Sequence, residues 1–269
     1  MIMTDLLSAA HGPRLRRVSL HHFAFGVFVA ALLAFIVITM RWDWIPVYWE
    51  LLLRGLWTTL WLLLVTFGLG FSLAIMLGLA RNSGRLWMSL PAQIYCTVIR
   101  GTPLLLQLWL LYYGLGSLFP QFPAIRQSEL WIYLRQAWPY AVVALTLSCA
   151  GYLGEVMRGA LANVPAGQLE AAKAFGLKKS TIFWRIHLPQ AVYRALPTIS
   201  GEAILQLKAT PLVATISVVD IFSVASRIRQ ETYLTYEPLL FVACIYMSIT
   251  AVLVLAFNLI ERRIPRRVG

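Results

Sequence analysis

Charge is scarce in this sequence, and acid scarcest of all. Only 11 of 269 residues are Asp or Glu, only 13% are charged, and the mean hydropathy is +0.72. A water-soluble domain of this length cannot cover its surface with so few polar side chains. Three cysteines, Cys96, Cys149 and Cys244, stand in apolar runs with no CxxC spacing, which excludes a zinc or dithiol motif and leaves them as small packing residues. Four histidines, His11, His21, His22 and His187, show no metal-ligand spacing. There is no HExxH, no GxSxG, no GxxxxGK[ST] and no Gly-Lys dipeptide, so the chain has no phosphate loop of its own. Low-complexity segments and short internal repeats are absent as well.

What the chain has instead is long apolar runs. Stretches of about 18 or more mostly apolar residues read as transmembrane helices. They fall at Phe23–Met40, Gly55–Ala80, Leu86–Pro120 (interrupted by Arg100), Ala137–Gly154, Ala195–Val219 (which carries Glu202 and Lys208) and Pro238–Ile260. The expectation is an all-α polytopic helix bundle of six spans. The first run follows Arg14, Arg16 and Arg17, as in a secretory signal, but it is longer than a signal core, and MRWDW after it offers no small-residue cleavage site. It reads as a retained helix.

With both termini in the cytoplasm, fifteen Lys and Arg fall inside. Six fall outside: Arg41, Arg54, Arg126, Arg135, Arg227 and Arg229. The positive-inside rule selects that orientation. The net charge of +12 is thereby explained by residues flanking spans, not by nucleic-acid binding.

One polar stretch, EAAKAFGLKKSTIFWRIHLPQA (residues 170–191), interrupts the apolar pattern. Pro165 suits a first helical turn. Glu170 and Lys173 lie on favourable sides of a helix dipole, and Ala171, Ala172 and Ala174 form a slim surface. Gly176 is placed to end the helix in a left-handed conformation. Ser180 can cap a second helix over Thr181–His187 before Pro189 redirects the chain. Two short helices at an angle result, with Phe175, Leu177, Ile182 and Phe183 to bury. Such a segment either covers its own domain or presents an alanine-lined face and an apolar knob to a partner's groove.

Ionisable residues inside spans are functional candidates. Arg100 precedes Gly101-Thr102-Pro103, where the proline frees backbone carbonyls; Arg100 either serves structurally, satisfying those carbonyls or a carboxylate, or contacts substrate. Glu155 and Arg158, one turn apart, can pair structurally. Glu202 and Lys208 lie ~120° apart on a regular helix. They either satisfy each other or a neighbouring helix, or else hold the ammonium and carboxylate of an amino acid, with Gln206 adding a hydrogen bond.

Glu170-Ala171-Ala172, Gly176 and the Ile186-His187-Leu188-Pro189 ending resemble the EAA loop of ATP-binding-cassette (ABC) importer permeases. IRGTPLLLQLWLLYYGL (99–115) and LPTISGEAILQLKATPLVATISVVDI (196–221) are similar to segments of the polar amino acid branch of that family. The resemblance covers about residues 50–263. It implies a type I importer transmembrane fold at 51–263, with residues 1–50 as a cytoplasmic leader plus an extra helix. It further implies a coupling loop at 163–190 in which Glu170, Ala171, Ala172, Phe175 and Gly176 engage a cytoplasmic ATPase dimer. A second permease and an extracytoplasmic solute-binding protein are the other implied partners, in a bacterial inner membrane. The chain itself is then non-catalytic and holds no cofactor, ATP being bound by partner subunits. An ion-gradient-driven transporter is the nearest rival.

Overall fold

The computed structural model describes residues 38–263, and the chain divides into two compact units, Met1–Ile45 and Pro46–Gly269. Of the first unit only 38–45 are described, so the expected span Phe23–Met40 lies outside the described residues except for its last three. The described end is a turn in which Arg41 pairs with Asp43 at 2.8 Å and the Trp44 indole donates to the Arg41 carbonyl.

Among the described residues of the second unit there are helices and turns but no strands. Helix α1 (Ile45–Arg81) is 37 residues of nearly unbroken apolar sequence. Its buried positions include Gly55, Thr59, Thr66, Gly70, Ala74 and Gly78, a stripe of small residues at helical spacing. That stripe lets α4 (Trp138–Ala162) approach closely. A Cβ on Gly70 would stand 2.7 Å from Cys149, one on Gly78 2.9 Å from Met157, and one on Gly154 3.2 Å from Leu77. Helix α4 is apolar enough to cross a bilayer and is the most buried of the three uninterrupted candidate spans.

The expected third span is not one helix. It is α2 (Leu86–Gly101) followed by α3 (Leu104–Trp109), whose chain runs on through a π-turn (Leu110–Leu115) to Gln121, with a bend of 104° between the halves. The cause lies at Thr102-Pro103: proline offers no N–H, and Thr102 before it is extended at φ −115°, ψ 141°. Single turns at Pro123–Arg126 and Trp131–Leu134 then lead into α4.

After α4 come two short helices, α5 (Ala166–Ala174) and α6 (Lys179–Ile182). A π-turn (Phe183–His187) joins α6 to α7 (Leu188–Ala209), so Pro189 opens a helix instead of redirecting the chain. Helix α7 packs on α4 and tightens into a 3₁₀ turn (Thr210–Ile216). Ser217 there is left-handed at φ 67°, and the chain restarts as α8 (Ile221–Thr232), bent by 52° from what precedes it. The Asp220 carboxylate accepts from the Ser223 amide and caps α8. Helix α9 (Tyr236–Arg262) packs on α7 and α8 but leaves nearly all its apolar surface open.

Among the described residues three helices therefore suit a membrane crossing by length and composition, or up to five if each bent pair counts as one span. One core cluster, around Leu153, Met157, Leu161 and Ile199, joins α1, α4 and α7 beside α5. A second, around Leu62, Leu108, Leu145 and Val213, fills the opposite half. Cys96 and Cys149 are buried packing residues, whereas Cys244 is exposed on α9.

Candidate functional site

The break between α2 and α3, the middle of α4 and the end of α7 enclose a cavity of about 220 Å³. Thr102, Leu104, Ser148, Cys149, Tyr152, Glu202, Leu205, Gln206 and Ala209 line it. Glu202 is its one acid. The carboxylate is half-buried, and among the described residues no cation lies within ion-pairing distance of it. Counting from Leu188, it stands ~21 Å up α7.

Arg100 is not the residue that satisfies the carbonyls freed at Pro103. Gln107 does so: its amide nitrogen reaches the Ile99 carbonyl at 2.8 Å, the Thr102 carbonyl at 3.1 Å and the Thr102 hydroxyl at 2.7 Å. Gln107 is four residues past Pro103, on the turn facing the break, whereas the Arg100 side chain leaves α2 in another direction. Its guanidinium lies 5.7 Å from the centroid of the Tyr152 ring, at the cavity wall, and its charge acts on Glu202.

Glu202 and Lys208 are not brought together. Lys208 faces a different hollow of about 650 Å³, between the end of α7, Phe222 and α9, lined mostly by apolar side chains such as Leu239, Val242 and Met247. The ~120° between the two positions on a regular helix is the reason: α7 stays helical through Ala209 and nothing rotates Lys208 back. The Glu202–Lys208 ion pair and the shared site are both corrected. Gln206 does line the Glu202 cavity, but its amide already donates to the Thr66 hydroxyl at 2.8 Å and the Leu145 carbonyl at 3.1 Å. It ties α7 to α1 and α4 one turn beyond Glu202 along α7.

The polar segment at 163–190 is two short helices. Pro165 precedes the first residue of α5, and Gly176 ends that helix at φ +71°. The Gly176 amide donates to the Lys173 carbonyl and the Leu177 amide to the Ala172 carbonyl, the two bonds of a Schellman ending. Ser180 is not the cap of the second helix. Lys178 holds that position with extended backbone, so the helix begins earlier and Ser180 falls inside it. Ala172 and Ile182 are buried, and Leu169 and Phe183 pack on the core around Met157. Phe175 is 85% exposed, with Glu170, Ala171, Lys173 and Gly176 beside it on the open side. Burial of Phe175 and Leu177 within the chain is thus corrected: the segment turns one face inward and shows a phenyl ring and an alanine-lined ridge outward.

Next to this segment Glu155 joins two arginines. Arg158 Nε donates to Glu155 Oε1 at 2.7 Å, one turn along α4. The other carboxylate oxygen accepts from Arg81, at the end of α1 and 74 residues away. Asn82 donates to the Arg158 carbonyl at 2.9 Å, and the His187 ring bonds the Leu161 carbonyl at 3.0 Å. The i, i+3 spacing of Glu155 and Arg158 is readable in sequence. The Arg81 partnership is not, because it depends on how α1 lies against α4.

A bundle of broken and continuous apolar helices, a cavity between them holding one carboxylate and an exposed two-helix segment suit a transport subunit. The chain belongs to the family described as "Binding-protein-dependent transport system inner membrane component", whose model matches residues 70–266. It is 42% identical over 210 residues to the octopine transport system permease protein of Rhizobium radiobacter, covering 78% of this chain and 84% of that one. It is also 34% identical over 224 residues to the histidine/lysine/arginine/ornithine transport system permease protein of Salmonella typhimurium, covering 80% and 94%. A crystal structure of an amino acid ABC transporter with histidines superposes with a TM-score of 0.69 at 30% identity, covering 84% of this chain and all of that one. An inward-facing methionine ABC transporter shares the fold, with a TM-score of 0.64 at 18% identity over the same fractions. The chain is therefore a multi-pass inner-membrane permease subunit of an ABC importer with the type I transmembrane fold, not an ion-gradient-driven transporter.

Proposed function

We propose that this permease passes polar or cationic amino acids, or opine-like derivatives of them, through the Glu202 cavity. The observation that carries the reading is a half-buried carboxylate, without an ion-pair partner among the described residues, in a cavity between α2, α3, α4 and α7. An ionisable group is costly in a membrane, ~2.5–3.5 kcal/mol on insertion scales, and among the described residues Glu202 has no ion-pair partner to offset this beyond the longer-range charge of Arg100. A substrate ammonium or guanidinium is its complement, while Arg100, outside the lining but 5.7 Å from the centroid of the lining Tyr152 ring, supplies a positive charge for a carboxylate. The named relatives, an octopine permease and a histidine/lysine/arginine/ornithine permease, carry substrates of that chemistry.

Residues 163–190 then form the coupling segment, in which Phe175 and the Ala171 ridge enter a groove of a cytoplasmic ATPase subunit. Nucleotide binds to those subunits and no cofactor binds to this chain. A solute-binding protein delivers substrate on the outer side, a second permease completes the pathway, and both termini lie in the cytoplasm. Residues 1–50 form a leader and an additional helix outside this machinery.

The test is uptake of labelled amino acids into proteoliposomes holding the complete complex, binding protein and ATP. Glu202→Gln should lower arginine or lysine uptake about tenfold, the worth of one charge-assisted hydrogen bond, and lower neutral amino acid uptake much less. Equal loss for both classes would reject Glu202 as the cation-binding group.

A further inference from the structure

Helix α1 touches three places that a transport cycle must keep in step. Its inner end carries Arg81, bonded to Glu155 on α4, and Asn82, which bonds the Arg158 carbonyl. Midway, Thr66 accepts from Gln206 beside the Glu202 cavity. Toward the far end, the Thr59 hydroxyl accepts from the Ile221 amide at 3.2 Å, at the bend between the 3₁₀ turn and α8. Gly55 lies against the same bend, so closely that a Cβ there would stand 3.0 Å from the Asp220 carbonyl. From Arg81 to Gly55 is ~39 Å of continuous helix.

The inner attachment is unlike the rest of the contact. Between α1 and α4 the seam is formed by Gly70, Gly78 and Gly154, which gives close approach but no bonds that fix sliding or rotation. Only at the Arg81–Glu155–Arg158 cluster do charge-assisted hydrogen bonds fix the two helices in register. The cluster stands on the last two turns of α4, with Arg158 eight residues before α5 begins and one turn before the Leu161 carbonyl held by His187. Leu169 and Ala172 seat α5 on the same block. A displacement of the protrusion is thus carried into the end of α4, and the ion cluster is the rigid link from there to α1.

We propose that the Arg81–Glu155–Arg158 cluster is the joint that makes α1 move with the coupling segment, so that ATP-driven motion at α5 reaches the cavity and the far bend at Asp220–Ile221. Glu155 is a positioning residue in this scheme: it touches neither substrate nor ATPase. The inference rests on the coupling role assigned to residues 163–190.

The experiment measures arginine uptake and ATP hydrolysis in the same proteoliposomes containing the complete complex. Glu155→Gln keeps the shape and removes the charge. It should leave hydrolysis stimulated by the binding protein while uptake per ATP falls at least about fivefold, the size of a lost coupling term of this kind. Arg81→Lys keeps one charged contact and should fall between Glu155→Gln and the unaltered protein. A purely structural cluster predicts a different result: uptake and hydrolysis dropping in proportion, or neither changing, and either overturns the proposal. A second readout needs no substrate. Spin labels at Trp57 on α1 and Met247 on α9, both exposed, should change separation on ATP binding in the unaltered complex and not in Glu155→Gln. An identical change in the variant also overturns it. A complex that hydrolyses ATP and shows this movement but imports no arginine would refute the substrate assignment while leaving the joint intact.

Discussion

Gln107 sits where the backbone of a bent apolar helix pair is interrupted. Each carbonyl released at Pro103 would cost a full desolvation penalty if left bare, and one amide nitrogen covers two of them together with the Thr102 hydroxyl. Gln107→Leu should therefore destabilise the purified permease by about 2 kcal/mol, with the loss coming from unpaired carbonyls and not from volume. Thermal unfolding in detergent measures this, and Gln107→Glu should recover little because a carboxylate cannot donate. Glu202, by contrast, stabilises nothing visible in the fold, so Glu202→Gln should leave unfolding unchanged while altering substrate preference. The two residues line up on opposite sides of one distinction: one holds the broken helix in place, and the other faces the space the break creates.

At the scale of elements, the coupling segment shows which signals survive translation into structure. Pro165 and Gly176 bracket α5 as their backbone preferences dictate, because proline fixes φ at a helix start and glycine alone enters the left-handed region without strain. The Ser180 cap failed since a lysine with extended backbone started α6 two residues sooner, and a cap is only a modest preference. Neither π-turn, at Leu110–Leu115 or Phe183–His187, has a sequence signature, so Pro189 read as a redirection when the chain in fact runs on. Lys208 was misplaced for want of tertiary knowledge: the sequence gives its angle from Glu202 but not which neighbour fills each side of α7. A substitution series at Gly176 separates backbone from surface. Nothing lies within 4 Å of a Cβ built there, so Gly176→Ala bears only the left-handed penalty, about 1 kcal/mol. Gly176→Asn bears less. Both should assemble and import at reduced or near-normal rates, whereas Gly176→Glu, which adds a charge to the exposed face, should abolish uptake with normal amounts of protein in the membrane.

For the whole molecule, the apolar runs anticipated the helical membrane domain and the three continuous helices, because a bilayer demands length and composition that few other structures need. Helix α1 nevertheless begins ten residues earlier and α4 ends eight residues later than the runs suggested. The breaks at Thr102-Pro103 and Ser217 were only hinted at by proline, and their angles of 104° and 52° depend on packing between helices far apart in sequence. The family match begins at residue 70 and the second compact unit at Pro46, and residues 1–45 are proposed to lie outside the transport machinery. Their removal should leave ATP hydrolysis stimulated by the binding protein intact, provided the new N-terminus is inserted facing outward. Loss of that stimulation in a truncated complex that still assembles would show instead that the leader takes part in the cycle.

The 37 residues of α1 extend ~55 Å, while the hydrocarbon core of a bilayer is ~30 Å thick. Tilting by the usual ~20° absorbs only a few ångströms of the difference, so some 20 Å of helix must stand in the headgroup layers and beyond. Trp49 and Trp57, exposed near one end, and Arg81 at the other can each sit at an interface over a range of depths. The helix consequently has spare length in both directions, and a thicker or thinner lipid environment can shift where the membrane meets it without stretching or kinking it. Transport measured across phosphatidylcholines of increasing chain length should then show a broad plateau in place of a sharp optimum.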